Sequence, residues 1–457
     1  MNEVSSETLR SLPASLAPLV AQPRRWPYPA WGGRPLTSVL ATLVVLGAVS
    51  LAPGTARGGD LEGRRPRGSA SARVQHIAES LAVNPKSYRF EDHPQLLERI
   101  LSTPHAYFRF TNTPFRRWVC KHLADFMAEA PVVNLHGDAH LEQYAATNEG
   151  RGLTDFDNAS MGPGALDLLR FGVSIHLALG AYSPSQDSEA AFDTFLRGYR
   201  QALRDPTLEA PEPRWVAGVR RTFSGDRRAL LSSLGRFTAA VGARRRTQLI
   251  SSLQGYVELM QSKTPDLPAW FFDVRRVGLL RMGIGSALQE KYLLQVEGAT
   301  TQSEDDVILE VKAVGDPPGD GCTLSSRRSD PFPILVGSSH IAYSPNPFLG
   351  YLDIEQRSFW VHSWSDHYVE LPLEEVIREG LFEEVIFDAG VQLGRGHPRF
   401  ASDFAADLRR AQIRFLDRNE ATLRSLVPVL GEATVLAHHR FRTSVEAGFD
   451  VDPSRTH

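Results

Sequence analysis

The chain has 457 residues, 42% hydrophobic and 23% charged, and its 50 Lys and Arg nearly balance 53 Asp and Glu for a formal charge of −3. That length exceeds one minimal domain and suits two lobes with sizeable cores, while the ordinary composition is that of a globular protein and the lack of a basic field argues against nucleic acid as a partner. Cys120 and Cys322 are its two cysteines, with no Cys-x-x-Cys pair, which excludes a multi-bridge disulfide framework and a cysteine-rich zinc site.

Residues 36–52 (LTSVLATLVVLGAVSLA) are almost wholly apolar, preceded by Arg24, Arg25 and Arg34 and followed by Gly54-Thr55-Ala56. About 17 apolar residues is the lower end of the spanning range, so the segment reads as a signal peptide with a long leading region or as a marginal membrane anchor. The protein is then exported or membrane-associated. If the start is mis-set and the segment carries no address, it is cytoplasmic. Arg24-Arg25 lies too far from the apolar run for a good twin-arginine signal. Residues 57–72 (RGGDLEGRRPRGSASA) are rich in Gly and Arg and complete, with the leader, a non-globular region over 1–72.

A helical region follows over 73–270. Apolar positions recur at helical spacing over residues 94–129, interrupted at Thr103-Pro104 and Thr113-Pro114. Then comes the most informative stretch, VNLHGDAHLEQY (133–144), followed by LTDFDN (153–158). An apolar run that breaks into His-Gly-Asp, with an amide side chain five positions after the Asp, is how kinase-like enzymes place a base and a magnesium ligand on one loop. A second apolar run ending in Asp delivers a further metal ligand. Those roles fall to Asp138, Gln143 and Asp155, with Asp157 as an additional acidic group and His136 and His140 as support. Residues 147–152 (TNEGRG) are expected to turn a hairpin between the two runs. Residues 165–181 read as a buried helix, and 189–263 as amphipathic helices on which Arg227-Arg228 and Arg244-Arg245-Arg246 mark solvated faces.

From Asp273 the pattern becomes strand-like, defining a β-rich region over 271–375 before a helical region over 376–457. VGLLRMGIGSA (277–287) leads into KYLLQVEG (291–298), and after Glu304-Asp305-Asp306 comes VILEVKAV (307–314). This is a Gly-rich turn, a strand, a hairpin and a second strand that carries a Lys. Amides of Gly283, Gly285 and Ser286 would approach phosphates, and Lys312 would pair with phosphate oxygens.

These segments resemble a bacterial family known as domain of unknown function 2252, related to aminoglycoside and other small-molecule kinases. The resemblance rests on Ala106-Tyr107-Phe108-Arg109, Gly137-Asp138-Ala139-His140-Leu141-Glu142, Thr154-Asp155-Phe156-Asp157 and Gly162-Pro163 with Asp167 and Arg170. It extends through Gly283-Ile284-Gly285-Ser286, Val311-Lys312, Pro347-Phe348-Leu349-Gly350 and Leu393-Gly394-Arg395-Gly396-His397. It implies an α+β, kinase-like fold of two lobes. Because the Gly-rich turn and its Lys follow the catalytic loop, the fold is expected to be circularly permuted, with the helical catalytic lobe first and the nucleotide-covering sheet later. By the same comparison Asp167 braces the catalytic loop. The chain departs from the family pattern at Gln143, where Asn is expected, at Phe110, where a Gly usually follows, and at His362 and Tyr368, where basic residues are usual.

Three readings follow. The first is an ATP- and magnesium-dependent phosphotransferase acting on a hydroxyl of an unidentified acceptor. The second is a catalytically silent nucleotide-binding module, favoured by Gln143 and by the export-like leader. The third is a metal hydrolase using His136, Asp138 and His140 as ligands.

Overall fold

Threonine and proline set the breaks in the first helical run. The computed structural model describes residues 70–448 except 224, 226, 282–288, 317–318, 325–328 and 401; these all lie in one unit, Arg57–His457. The apolar segment 36–52 and the Gly283, Gly285 and Ser286 turn lie outside the described residues. After α1 (Ala70–Leu81), α2 (Pro94–Ser102) starts on a proline, and α3 (Pro104–Phe110) is capped by Thr103, whose Oγ1 accepts Ala106 N–H at 3.1 Å. The next break falls at Thr111 rather than at Thr113. Pro114 sits in the first turn of α4 (Asn112–His122), where a missing N–H costs nothing. The short α5 (Ala124–Glu129) ends the run.

Strand β1 (Val132–Leu135) pairs antiparallel with β4 (Ser160–Pro163), and between them β2 (Tyr144–Thr147) and β3 (Arg151–Leu153) form the expected hairpin. The hairpin turn is closed by Thr147, which exchanges bonds with Gly150. Helix α6 (Ala165–Tyr182) is apolar and long enough to cross a membrane, but it is the central core helix, buried on nearly every face. Against it pack α7 (Ser188–Arg204) and, further along the chain, the helix Leu373–Arg378 (α12), and the same core takes in α8 (Arg214–Arg220), α11 (Phe332–Ile341) and α13 (Phe382–Gly396). Gly390 lets α13 approach α7 closely: a Cβ there would lie 2.2 Å from Phe195 O. The long α14 (Ser402–Gly448) buries Leu416, Leu423, Leu430 and Ala437, a seven-residue repeat, against this core.

A second layer is a six-stranded antiparallel sheet of order β5-β6-β7-β8-β10-β9. It comprises β5 (Thr238–Ala239), β6 (Val274–Leu280), β7 (Lys291–Val296), β8 (Val307–Ala313), β9 (Gly350–Ile354) and β10 (Arg357–Ser363). One face (Tyr292, Leu294, Leu309, Val311, Phe359, Val361) packs on Leu249, Leu253, Tyr256 and Met260 of α10 (Ala243–Lys263). Strand alternation therefore turns Lys291, Glu310, Lys312, Trp360 and His362 to the other face. The fold is α+β. The sheet layer draws β5, α9 (Arg227–Phe237) and α10 from before residue 271, and β11 (Tyr368–Glu370) joins the β2–β3 hairpin instead. Of the charge runs read as solvated, Arg227 and Arg245 are drawn into ion pairs with Asp366 and Glu290, which tie α9 and α10 to the sheet layer.

Candidate active site

The His-Gly-Asp loop leaves β1 with Gly137 at φ +77°, a left-handed conformation in a space where a Cβ would meet Asn158 O at 1.8 Å. Only glycine fits. One face of α6 grips this loop through residues three and four apart. Asp167 accepts His136 N–H at 2.6 Å and Gly137 N–H at 3.0 Å, Arg170 Nε donates to Asp138 Oδ1 at 2.5 Å, and Ser174 Oγ accepts Leu141 N–H at 3.2 Å. Asp167 thus ties the start of α6 to two backbone N–H groups of the loop. Burial raises its carboxyl, but His397, 3.2 Å away, together with His136 holds it below the usual range. His397 is held in turn by Tyr199 Oη at 2.9 Å. Asp138 itself is pushed upward by burial, which outweighs Arg170, and the nearby Asp155 charge adds to the rise. A buried carboxylate with raised proton affinity is suited to general-base work.

Past the hairpin, Asp155 adopts φ +57°, an uncommon left-handed conformation for a non-glycine residue at a chain reversal. Lys312 Nζ lies 2.8 Å from Asp155 Oδ1 and 2.5 Å from Asp157 Oδ2, and Trp360 Nε1 donates to Asp157 Oδ1 at 2.9 Å. The structure therefore brings Lys312, Asp155 and Asp157 together, from segments more than 150 residues apart. Burial and the Asp155 charge push Asp157 up, to about 7; packing also raises Asp155, but Lys312 outweighs it and holds that carboxyl well below the usual range. The two carboxylates titrate as a pair. Burial disfavours the Lys312 charge, yet Asp155, Asp157 and Glu310 hold its ammonium well above its ordinary range.

The two motifs are locked to one another. His136 Nε2 donates to Thr154 O at 2.7 Å, while Arg116 donates to Gly137 O at 3.1 Å and to Asn158 O at 3.3 Å. Arg116 is fully buried and pairs with Asp320 at 2.8 Å, and one helical turn on, Cys120 is disulfide-bonded to Cys322. Neither role was visible in the sequence, where nothing sets Arg116 apart from Arg117 and two cysteines 202 residues apart give no pairing signal.

Gln143 is buried beside the hairpin; its backbone oxygen accepts Thr154 N–H at 2.8 Å and Thr154 Oγ1 at 2.9 Å. His140 lies 3.9 Å from Asp138, and Glu142 pairs with His105 at 2.8 Å and Arg109 at 3.2 Å; the sequence reading has His140 as support and Arg109 and Glu142 as parts of family segments, and gives His105 no place. Among the described residues, the one His/Cys/Asp/Glu group spaced to hold a metal is Cys120, Asp320 and Cys322. Its sulfurs are bonded to each other, and His136 is committed to Thr154, so the trio His136, Asp138 and His140 does not form a ligand set. The Asp155–Asp157 pair has different chemistry. The two carboxylates converge on Lys312 and the Asp155 side chain is 39% exposed, so its oxygens can be reached by a hard divalent cation.

A family model described as an uncharacterized protein conserved in bacteria (DUF2252) matches residues 92–229 and 217–444, well over half of the chain. No curated protein and no solved structure matches.

Proposed function

This chain belongs to the bacterial family DUF2252, and from its site we propose that it is an ATP- and magnesium-dependent phosphotransferase acting on a hydroxyl of a small molecule or protein. The observation that carries the reading is the contact of Lys312, on a sheet strand, with both Asp155 and Asp157, beside a loop that presents Asp138. Lysine on a sheet, acidic groups after a hairpin and a buried Asp on a preceding loop are the parts that phosphoryl transfer uses. Their order along the chain supports a permuted kinase-like arrangement.

Asp138 is the base: it accepts the hydroxyl proton as the oxygen attacks phosphorus, and Arg170 fixes its orientation. Asp155 and Asp157, with Gln143 near them, would hold magnesium, which supplies charge neutralisation for the phosphates. Lys312, with amides of Gly283, Gly285 and Ser286, would bind phosphate oxygens. The disulfide, a bond that persists in oxidising compartments, joins the apolar leader in supporting an exported or membrane-anchored protein.

Gln143 favours the second reading, a silent nucleotide-binding module, because its extra methylene moves the amide oxygen by roughly an ångström. Calorimetric titration of ATP into the full chain across a magnesium series, for the unsubstituted protein and Gln143→Asn, separates the two. Magnesium-dependent binding that Gln143→Asn weakens supports the active enzyme. Binding gained only in Gln143→Asn supports the silent module, and no binding in either form contradicts both.

A further inference from the structure

Only five of the 50 Lys and Arg residues in this chain are lysines, and two of the five face each other beside the site. Lys291 opens β7 and stands directly opposite Lys312 in the β7–β8 ladder, while Trp360 of β10 stands opposite Lys312 on its other side. Cross-strand partners lie on one face of a sheet, here the face from which Lys312 reaches Asp155 and Asp157. Lys291 is 4% exposed and Lys312 6%.

Such a pair costs stability. Like charges directly opposite one another on a ladder are destabilising, and lysine is almost never this buried unless it is paired. A sheet selected for stability alone would set an apolar or acidic residue opposite Lys312. Among the acidic groups nearby, Glu310 has His362 Nε2 at 3.4 Å, and Asp155 and Asp157 hold Lys312. Burial, and after it the Lys312 charge, holds the Lys291 ammonium below its ordinary range, while Glu310, Asp155 and Asp157 oppose the fall. Lys291 therefore lies within electrostatic reach of the two carboxylates that Lys312 touches. Once those carboxylates are engaged by a divalent cation, both lysines face added positive charge, and a polyanion is the ligand that answers them.

We infer that Lys291 is a second phosphate-binding lysine, which with Lys312 clamps the polyphosphate chain of a nucleoside triphosphate; the inference rests on the phosphotransferase reading. Opposed ladder positions set Cβ atoms about 5 Å apart, so two four-carbon stems can bring their ammonium groups to neighbouring phosphoryl groups of one chain. Lysine suits the task, as a compact point charge with three rotatable donors. Lys312 serves the end of the chain nearest Asp155 and Asp157. Lys291 follows Ser286 of the Gly-rich segment by five residues, so the amides proposed to bind phosphate and this ammonium come from one stretch of sequence.

Calorimetric titration of the full chain with ATP and with AMP at fixed magnesium tests the clamp. Lys291→Met should weaken ATP binding by about 10- to 100-fold and leave AMP within about twofold, because AMP has no chain to clamp. A merely structural lysine would weaken both alike. An acyl phosphate of ATP makes the test without a substitution, and so does not depend on a variant folding. A lysine amine lying against the phosphates attacks its carbonyl, forming an amide and releasing ATP. Peptide mass spectrometry should find the acyl group on both Lys291 and Lys312, and excess ATP should suppress both modifications. A Lys291 that stays unmodified overturns the clamp, as does equal ATP affinity in Lys291→Met and the unsubstituted protein, or an equal loss for ATP and AMP. No magnesium-dependent ATP binding by the unsubstituted protein overturns the phosphotransferase reading and the clamp with it.

Discussion

On the helical side of the site each carboxylate has its own partners, whereas on the sheet side one ammonium ion serves two. Asp138 has Arg170, Asp167 has two backbone N–H groups and His397, and Glu142 has His105 and Arg109. Asp155 and Asp157 share Lys312, and burial together with the Asp155 charge leaves Asp157 with a carboxyl raised to about 7. The helical side is built for fixed geometry, as a base needs. The sheet side holds excess negative charge that a bound cation would relieve. That contrast is what a site binding a metal at one end and a proton at the other should show.

Removing the shared cation should produce the largest effect. Lys312→Met leaves two acidic groups without their counter-ion and should destabilise the ligand-free protein by about 3–5 kcal/mol, with Asp157→Asn in the same background recovering part of the loss. Equilibrium urea unfolding measures both, and an unchanged midpoint would erase the contrast between the two sides. Next is the staple that steadies Arg116 under both loops. Cys120→Ser opens a 202-residue crosslink and should cost about 3–4 kcal/mol; no change in unfolding midpoint between oxidised and reduced protein would show that the crosslink contributes nothing.

Glu142 sharpens the comparison on the helical side. Its folded carboxyl is held near 2, below the unfolded value of about 4.3. The stability it contributes is therefore present above about pH 4.3 and is lost as pH falls toward 2, up to about 3 kcal/mol in all. Glu142→Gln should lower neutral-pH stability and flatten that acid limb. An acid limb unchanged by the substitution would show that His105 and Arg109 do not stabilise the charge.

Local pattern in the sequence carried the hairpin, the buried helix α6 and the Lys-bearing strand, because period and turn chemistry are local. It also singled out Asp138, Asp155, Asp167, Arg170 and Lys312, since each stands in a short motif or a family segment. Non-local partners were out of reach. Arg116 reads like its exposed-looking neighbour Arg117, and its partner Asp320 lies 204 residues away. Trp360, His105 and Glu142 acquire their places only when the sheet, α3 and the loop are packed together. The boundary at residue 271 misses α10, whose apolar stripe looks the same whether a helix covers it or a sheet does.

The comparison of Asp138→Asn with the unsubstituted full chain, under saturating ATP and magnesium, bears most directly on the proposed function. Asparagine keeps the shape and removes the base, so phosphoryl transfer should fall by about 10² or more while the nucleotide dissociation constant stays near its starting value. Magnesium-dependent turnover that is the same in both proteins would contradict the assignment of Asp138 as the base and, with it, the phosphotransferase reading of the site.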